Sequence, residues 1–178
     1  MVRVFGFIDI QKDFMNHAGA LYVPNAESIK GNIKKLVHFA QIFNLPIFFT
    51  QDQHDGSESE MAKNGGLFPL HCIKGTSGAE NIIDTQARYF DKQCYDVFDG
   101  KNGNKNIVKW LKDEAVTEVW LAGVATDYCV KAAAIGIRKL GIGVYIFENA
   151  IMGVASETTE SAIKEMKKAG CHFVKCDL

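Results

Sequence analysis

Cys129 stands where a buried strand is expected to be followed by a helix, a position at which a cysteine can act as a nucleophile. Val119–Ala122 is a short, β-prone apolar stretch, and apolar residues then recur at helical spacing, at Val130, Ala133, Ala134 and Ile137. The first N–H groups of a helix lack intrahelical partners and its dipole favours negative charge, so a thiol there should ionise readily. The same N–H groups can receive an oxyanion. Because a lone cysteine is more often a buried core residue, the assignment of Cys129 as a nucleophile depends on which other residues lie near it.

Further polar residues close the other expected strands. Asp9 ends the first apolar stretch, Asp52 and His54 follow the second, and Lys92 follows the third. Each alone has an ordinary explanation as a helix cap, a solvated loop residue or a surface charge. In open α/β sheets, however, ligands bind outside the carboxyl ends of the strands. The convergence of these residues with Cys129 on one sheet edge therefore predicts a reactive crevice.

The elements that must hold these residues alternate along the chain, as is typical of successive βα units around a mostly parallel sheet. The predicted strands are Val4–Asp9, Pro46–Thr50, Tyr89–Asp91, Glu118–Gly123, Val144–Glu148 and His172–Lys175. The predicted helices carry Ile29, Ile33, Leu36, Val37 and Ala40, then Ile107 and Leu111 within Asn104–Asp113, and last Ala162, Ile163 and Met166. We therefore predict a single α/β domain over residues 1–178, with three α/β/α layers and a doubly wound sheet of about six strands.

The stretch from Gln51 to Thr85 shows no convincing helical or strand period. It is rich in glycine, serine, histidine and acidic residues. A structureless connection of that length inside a compact domain is uncommon and is usually functional. We therefore expect it to have a functional role.

Composition narrows the functional classes. The 178 residues are 47% hydrophobic, enough for one substantial core, and 20 basic against 21 acidic residues give a net charge of −1. This balance argues against a nucleic-acid binder or a membrane-surface protein, and it favours a small-molecule partner. The chain enters an apolar strand almost at once and has no apolar run of membrane-spanning length, so we expect a cytoplasmic protein. Five cysteines without a C-x-x-C pair do not indicate a disulfide framework or a structural zinc site.

Taken together, the motifs resemble the isochorismatase-like cysteine hydrolases, and within them the nicotinamidase branch. The resemblance covers nearly the whole chain in order and spacing. The matching segments are residues 9–14 (DIQKDF), 50–54 (TQDQH), 68–72 (FPLHC) with Gly75 and Thr76, Lys92 with Tyr95, and 123–130 (GVATDYCV).

The resemblance implies a catalytic triad of Asp9, Lys92 and Cys129. In this interpretation Cys129 attacks an amide carbonyl, Asp9 takes and returns the proton, and Lys92 keeps Asp9 ionised and in position. The resemblance also implies a cis peptide between Val124 and Ala125, and the N–H groups of Ala125 and Cys129 would form the oxyanion hole.

The resemblance further implies one divalent metal ion held by Asp52, His54 and His71. Two imidazoles and one carboxylate leave open positions suited to Zn, with Mn or Fe as alternatives. A further family ligand has no clear equivalent, because Ser57 stands at one expected position; Glu58 or Glu60 would be the substitute.

Three aromatic residues, Phe14, Phe68 and Tyr95, are candidates to bind a flat substrate, or they are core residues. Family nicotinamidases often have Trp where this chain has Phe68, which still stacks but covers less area. The segment between Lys92 and Tyr95 is shorter than in some members, so Tyr95 is expected to sit differently at the pocket wall.

The leading functional prediction is a metal-containing amidohydrolase that converts nicotinamide to nicotinate and ammonia. One alternative is a related cysteine hydrolase acting on another small amide or carbamoyl compound. Another is a non-catalytic metal- or partner-binding member, which would have no need of the triad. The chain lacks a G-x-G-x-x-G after the first strand and a G-x-S-x-G, which disfavours a dinucleotide-dependent oxidoreductase and a serine hydrolase. A homo-oligomer is compatible with the sequence.

Overall fold

Six strands form one parallel sheet in the computed structural model, which describes residues 1–177. The strands are β1 (Arg3–Ile8), β2 (Ile47–Asp52), β3 (Arg88–Lys92), β4 (Glu118–Val124), β5 (Gly143–Met152) and β6 (His172–Val174). Their order across the sheet is β3-β2-β1-β4-β5-β6, and every pair is parallel. The predicted doubly wound α/β architecture is confirmed.

Helices cover both faces of the sheet. They are α1 (Lys12–Met15), α2 (Lys30–Ile42), α3 (Lys105–Asp113), α4 (Lys131–Lys139) and α5 (Ser156–Lys168). The apolar residues of α1 and α2 enter one core, and those of α3, α4 and α5 enter the other. Within residues 1–177, none of these helices is long and apolar enough to cross a membrane.

The switch point of the sheet lies beside β1, which pairs with β2 on one side and β4 on the other. Ile8, the last residue of β1, faces Thr50 of β2 and Gly123 of β4. Asp9 follows at once with a φ of 47°, a left-handed conformation that is unusual for a non-glycine residue. The first strand therefore ends one residue earlier than the sequence suggested.

The fifth strand is longer than predicted. Glu148 and Asn149 interrupt the apolar pattern and suggested an end, yet β5 continues to Met152, and Ala150 and Ile151 are buried again. A shift of register between Leu121 and Gly123 of β4 accompanies this extension. The pairing of β5 with β4 at Ile151 and Met152 thus extends the strand past the polar residues Glu148 and Asn149.

The connection between β2 and β3, residues 53–87, has little regular structure but is anchored. It contains two short 3₁₀ turns, and isolated bridges join His54 to Ile73 and Met61 to Phe68. Met61 is fully buried and fixes the middle of the connection. The predicted long loop is therefore irregular in structure but held in place by these bridges and by the buried Met61 side chain.

Candidate active site

A cavity of about 400 Å³ opens at the carboxyl ends of the central strands. Its lining comes from α1 and the connection after it, from the 53–87 connection, from the segments after β3 and β5, and from the ends of β1, β2 and β4 with the turn after β4. The lining residues are Asp9, Phe14, Leu21, Tyr22, Val23, Asp52, His54, Glu60, Phe68, His71, Gln93, Cys94, Tyr95, Asn102, Val124, Ala125, Tyr128, Cys129 and Val154. The candidate catalytic, oxyanion-hole, aromatic and metal-binding residues all line it except Lys92, which contacts the lining residues Asp9, Asp52 and Cys129; of the two possible further ligands, Glu60 lines the cavity and Glu58 does not.

Four buried residues form what we call the inner wall: Asp9, Asp52, Lys92 and Cys129. The Lys92 ammonium lies 2.7 Å from Asp9 Oδ2, donates a short hydrogen bond to Asp52, and lies 3.7 Å from Cys129 Sγ. Thr50 Oγ1 donates to Asp9 Oδ1 at 2.7 Å. One cation therefore joins the candidate proton carrier, a candidate metal ligand and the candidate nucleophile.

The sheet register places this wall. Lys92 is the last residue of β3 and is paired with Asp52, the last residue of β2. β2 in turn lies beside β1, which delivers Asp9, and β4 on the far side of β1 leads into the Cys129 turn. The predicted convergence of the strand ends is confirmed, whereas the contact between Lys92 and Asp52 was not anticipated.

Burial dominates the protonation of the wall. It raises the pKa of the Cys129 thiol well above its ordinary 9.0, and the carboxylates of Asp9 and Asp52 raise it further while Lys92 opposes them. Burial likewise raises the pKa of Asp9, against the attraction of Lys92. Burial thus outweighs the two effects expected from the sequence: Lys92 lowers the Asp9 pKa by less than burial raises it, and the pKa of the Cys129 thiol lies above its ordinary value rather than below it.

Lys92 stays protonated. Its pKa is raised well above 10.5 because the attraction of Asp52 and Asp9 together exceeds the cost of its burial. Asp52 has a lowered pKa, since Lys92 and His54 outweigh its own desolvation. The inner wall thus contains a Lys92–Asp52 ion pair. Beside it lie Asp9 and Cys129, whose pKa values are both raised, so that a proton can pass between them.

Cys129 lies in a five-residue π-helical turn, Thr126–Val130, that leads directly into α4. The N–H groups of Tyr128 and Val130 both donate to the Ala125 carbonyl, so the turn consumes these two donors. The peptide between Val124 and Ala125 is cis, as expected. Gly123 has a φ of 123°, and a Cβ there would lie 2.1 Å from the Ile8 carbonyl oxygen, so this approach requires glycine.

A second cluster on the cavity wall has the composition of a metal site. Ligand atoms of Asp52, His54 and His71 all lie within 4.8 Å of one another, and the three residues are buried. His54 Nδ1 lies 3.2 Å from Glu58 Oε1, and His71 Nδ1 lies 2.8 Å from the Pro69 carbonyl oxygen. With both Nδ1 atoms occupied, the two Nε2 atoms are left for an ion. Two such imidazoles and a carboxylate fit a divalent transition metal.

The two acidic residues considered as a further ligand differ in their contacts. Glu58 accepts hydrogen bonds from the N–H groups of Asp55 and Gly56 and from the Gln93 amide, and it faces His54 Nδ1. Its carboxylate is therefore engaged in holding the loop and orienting His54. Glu60 lines the cavity, with Oε1 4.0 Å from His54 Nδ1.

Aromatic side chains surround the rest of the cavity. The Phe14 ring is buried and lies 5.7 Å from His71, so it serves both the core and the cavity wall. Phe68 lies 6.2 Å from the His71 ring and 6.4 Å edge-on from Tyr95. The structure thus brings all three candidate aromatic residues to the cavity.

Several lining residues escaped the sequence analysis, notably Tyr22, Tyr128 and Val154. Tyr128 carried a signal, because it directly precedes Cys129 in a turn that must open toward the site; its ring lies 5.1 Å from Tyr95. Tyr22 and Val154 lie in connections where no periodicity marks an inward residue. We call Tyr22, Phe68, Tyr95, Tyr128 and Val154 the rim.

Comparison with known proteins agrees with this geometry. Residues 4–177 match the model of the isochorismatase domain. The zinc complex of a pyrazinamidase from Pyrococcus horikoshii is similar with a TM-score of 0.91 and 31% identity, covering 98% of this chain and 99% of that one. A nicotinamidase/pyrazinamidase from Mycobacterium tuberculosis is 28% identical, covering 97% and 98%. A nicotinamidase from Escherichia coli is 26% identical, covering 94% and 92%.

Proposed function

The chain belongs to the isochorismatase family, and we propose that it is a metal-containing amidohydrolase that converts nicotinamide to nicotinate and ammonia. The observation that carries the proposal is the composition of one cavity. A buried Asp9–Lys92–Cys129 cluster forms one part of its wall, and the donor set Asp52, His54 and His71 forms another. Relatives named as nicotinamidases and pyrazinamidases support the substrate class.

The first half of the reaction acylates the enzyme. Cys129 passes its thiol proton to Asp9 as sulfur attacks the carboxamide carbon, and Lys92 stabilises the negative charge that moves through the cluster. The raised pKa of Asp9 strengthens its affinity for a proton, which favours its role as the acceptor. The N–H groups of Ala125 and Cys129 are the proposed donors to the oxyanion. Asp9 then protonates the amide nitrogen, the C–N bond breaks and ammonia leaves.

The second half returns the enzyme. Water gives a proton to Asp9 and its oxygen attacks the thioester carbon. The C–S bond breaks, Cys129 recovers the proton from Asp9, and the product leaves as nicotinic acid, which gives its carboxyl proton to solvent and becomes nicotinate. Asp9 therefore carries a proton in both halves, which explains why a single carboxyl group suffices.

Asp52, His54 and His71 would hold the ion, with zinc as the proposed metal because N and O ligands in this number leave open positions. When bound there, the ion would supply a Lewis acid for the lone pair of the pyridine nitrogen. The side chains of Phe14, Phe68 and Tyr95 enclose the ring. A ring held in this way keeps its carboxamide oriented toward Cys129.

A second candidate is a related hydrolase of another small amide or carbamoyl compound. Phe68 favours it, because family nicotinamidases often have the larger Trp there and the smaller ring stacks over less of a flat substrate. The inner wall would serve such a substrate unchanged.

The test is a side-by-side assay of ammonia release from nicotinamide, pyrazinamide and several aliphatic amides and carbamoyl compounds. We expect nicotinamide and pyrazinamide to have the highest kcat/KM. No turnover of nicotinamide beside good turnover of an aliphatic amide would establish the second candidate, and no turnover of any amide would favour a non-catalytic member.

A further inference from the structure

Two side chains near the site, Gln11 and Asp13, take no part in the proposed reaction. They alternate with Asp9 along residues 9–13, which run from the end of β1 into α1. Gln11 is fully buried, and neither residue lines the cavity. Their hydrogen bonds all go to backbone groups, and three of those groups, the N–H and carbonyl of Asp52 and the N–H of Cys72, lie at or beside the candidate metal ligands.

Gln11 is bonded to the backbone of Asp52 in both directions. Its Nε2 donates to the Asp52 carbonyl at 2.7 Å, and its Oε1 accepts from the Asp52 N–H at 2.7 Å. The same Nε2 also donates to the Ala79 carbonyl at 2.9 Å. The side-chain amide thus acts as an extra peptide group that fixes the end of β2 at the ligand itself.

Asp13 fixes the backbone next to His71. Its Oδ2 accepts from the Cys72 N–H at 2.7 Å, and its Oδ1 accepts from the Ala20 N–H at 3.1 Å. Cys72 has a φ of 46°, a conformation that its own side chain does not favour. A Cβ added to Gly78 would lie 2.1 Å from Asp13 Oδ2, so the neighbouring turn packs directly on this carboxylate.

The segment that carries both side chains is itself held from the far side. The Lys12 N–H donates to the Glu80 carbonyl at 2.8 Å, and the Ile82 N–H donates to the Ile10 carbonyl at 2.9 Å. Residues 10–13 are therefore fixed against residues 80–82 by backbone hydrogen bonds. Gln11 and Asp13 extend from this segment to two ligands that are 19 positions apart in the chain.

We propose that Gln11 and Asp13 are positioning residues that preform the metal site, Gln11 by fixing Asp52 and Asp13 by fixing His71. The inference rests on the proposed metal site. Partners that orient metal ligands commonly change metal affinity by about 10- to 100-fold when they are removed. Because Gln11 and Asp13 bond only to backbone groups, their removal should leave the ligand atoms of Asp52 and His71 unchanged and alter only the positions of those atoms.

The test measures the dissociation constant of Zn²⁺ by competition with a chelating dye, on metal-stripped wild-type protein and variants. Gln11→Ala is expected to raise this Kd at least tenfold, and Asp13→Asn, which keeps one acceptor oxygen, is expected to raise it less. Kd is read without substrate, so the result does not depend on turnover. Excess metal should restore part of the kcat of both variants.

Asn149 supplies a matched control. Its side-chain amide makes the same two-way pairing, donating to the Cys176 carbonyl at 3.0 Å and accepting from the Cys176 N–H at 2.8 Å. Asn149→Ala should therefore lower Tm as Gln11→Ala does, while leaving the Zn²⁺ Kd within twofold of wild type. Equal Kd values for wild type and Gln11→Ala would overturn the proposal, and so would an equal loss of affinity in Asn149→Ala.

Folding failure has a defined fallback. If Gln11→Ala does not accumulate as folded protein, Gln11→Glu keeps the shape and the acceptor for the Asp52 N–H but loses the donor, and it should still weaken Zn²⁺ binding. An unchanged Kd in both Gln11→Glu and Asp13→Asn would overturn the positioning role alone. Failure of metal-stripped wild-type protein to bind Zn²⁺ would overturn the metal site itself, and the positioning role with it.

Discussion

The inner wall and the rim enclose the same cavity but are built in different ways. The wall residues Asp9, Asp52, Lys92 and Cys129 are at most 7% exposed and are tied to strand ends whose register the sheet sets. In the rim, by contrast, Tyr95 is 47% exposed, Tyr128 38% and Val154 44%. Phe68, Tyr95 and Tyr128 of the rim contact one another through their rings, from three different segments of the chain.

This difference suggests that the inner wall carries out the reaction and that the rim selects the substrate. Groups that exchange protons must be held to fractions of an ångström, and burial in a sheet edge supplies that precision. A surface that selects among ring shapes needs area and tolerates adjustment. We therefore expect wall substitutions to change kcat and rim substitutions to change KM.

The largest effect is expected for Cys129→Ala, which should abolish turnover because the covalent route disappears. Tm should stay close to that of wild type. Cys171→Ala is the matched control, since this buried cysteine lies in the core between the sheet and α3, α4 and α5, and it should retain wild-type kcat. A folded Cys129→Ala enzyme with a near-wild-type rate would contradict the assignment.

Asp9→Asn should come next, with a loss of kcat of about 10³-fold or more, because both proton transfers fail. Residues that act as a unit are not additive. The double variant with Cys129→Ala should therefore be no slower than Cys129→Ala alone. A multiplicative loss, measured by single-turnover assay, would mean that the wall does not work as one unit.

Loss of His71 tests the boundary between the two regions. His71→Ala should lower the metal content of the purified protein and reduce kcat/KM for nicotinamide by about 100-fold, since orientation of the ring is lost. Elemental analysis and treatment of wild type with a strong chelator provide the measurement. A His71→Ala protein that holds as much metal as wild type would place the site elsewhere.

Phe68→Leu probes the rim alone. Removal of the ring should raise KM for nicotinamide several-fold through lost stacking area, with kcat nearly unchanged. Phe68→Trp should lower KM if the pocket is wider than a nicotinamidase requires. A drop in kcat as large as that of a wall variant would erase the distinction between the regions.

The smallest effect concerns Tyr22, whose hydroxyl donates to Glu27 and holds the pKa of that carboxyl below its ordinary 4.5. Because folding lowers this pKa, the bond stabilises the fold above the unfolded value and the contribution is lost as pH falls through the lowered one. Tyr22→Phe should therefore lower Tm slightly at neutral pH, and the gap to wild type should narrow below about pH 4. A gap that does not change with pH would show that the Glu27 bond contributes nothing.

The sequence predicted what depends on strand ends and failed where contacts decide. Asp9, Lys92 and Cys129 each follow or close an apolar stretch, so topology alone brings them together. The Lys92–Asp52 contact depends on register, and the raised pKa of Cys129 depends on burial and on two carboxylates that no local pattern reveals. Tyr22 and Val154 come from connections without periodicity, and only the folded chain places them at the cavity.

The most direct test of the central claim is the ratio of kcat/KM for nicotinamide to that for benzamide, which lacks the ring nitrogen. A metal held by Asp52, His54 and His71 would bind the ring nitrogen while Cys129 meets the carboxamide, so benzamide should react far more slowly. Pyrazinamide, with a nitrogen at the same place, should be hydrolysed well. In the His71→Ala protein the preference for nicotinamide over benzamide should largely disappear. Comparable kcat/KM for nicotinamide and benzamide in the metal-loaded wild-type enzyme would contradict the account.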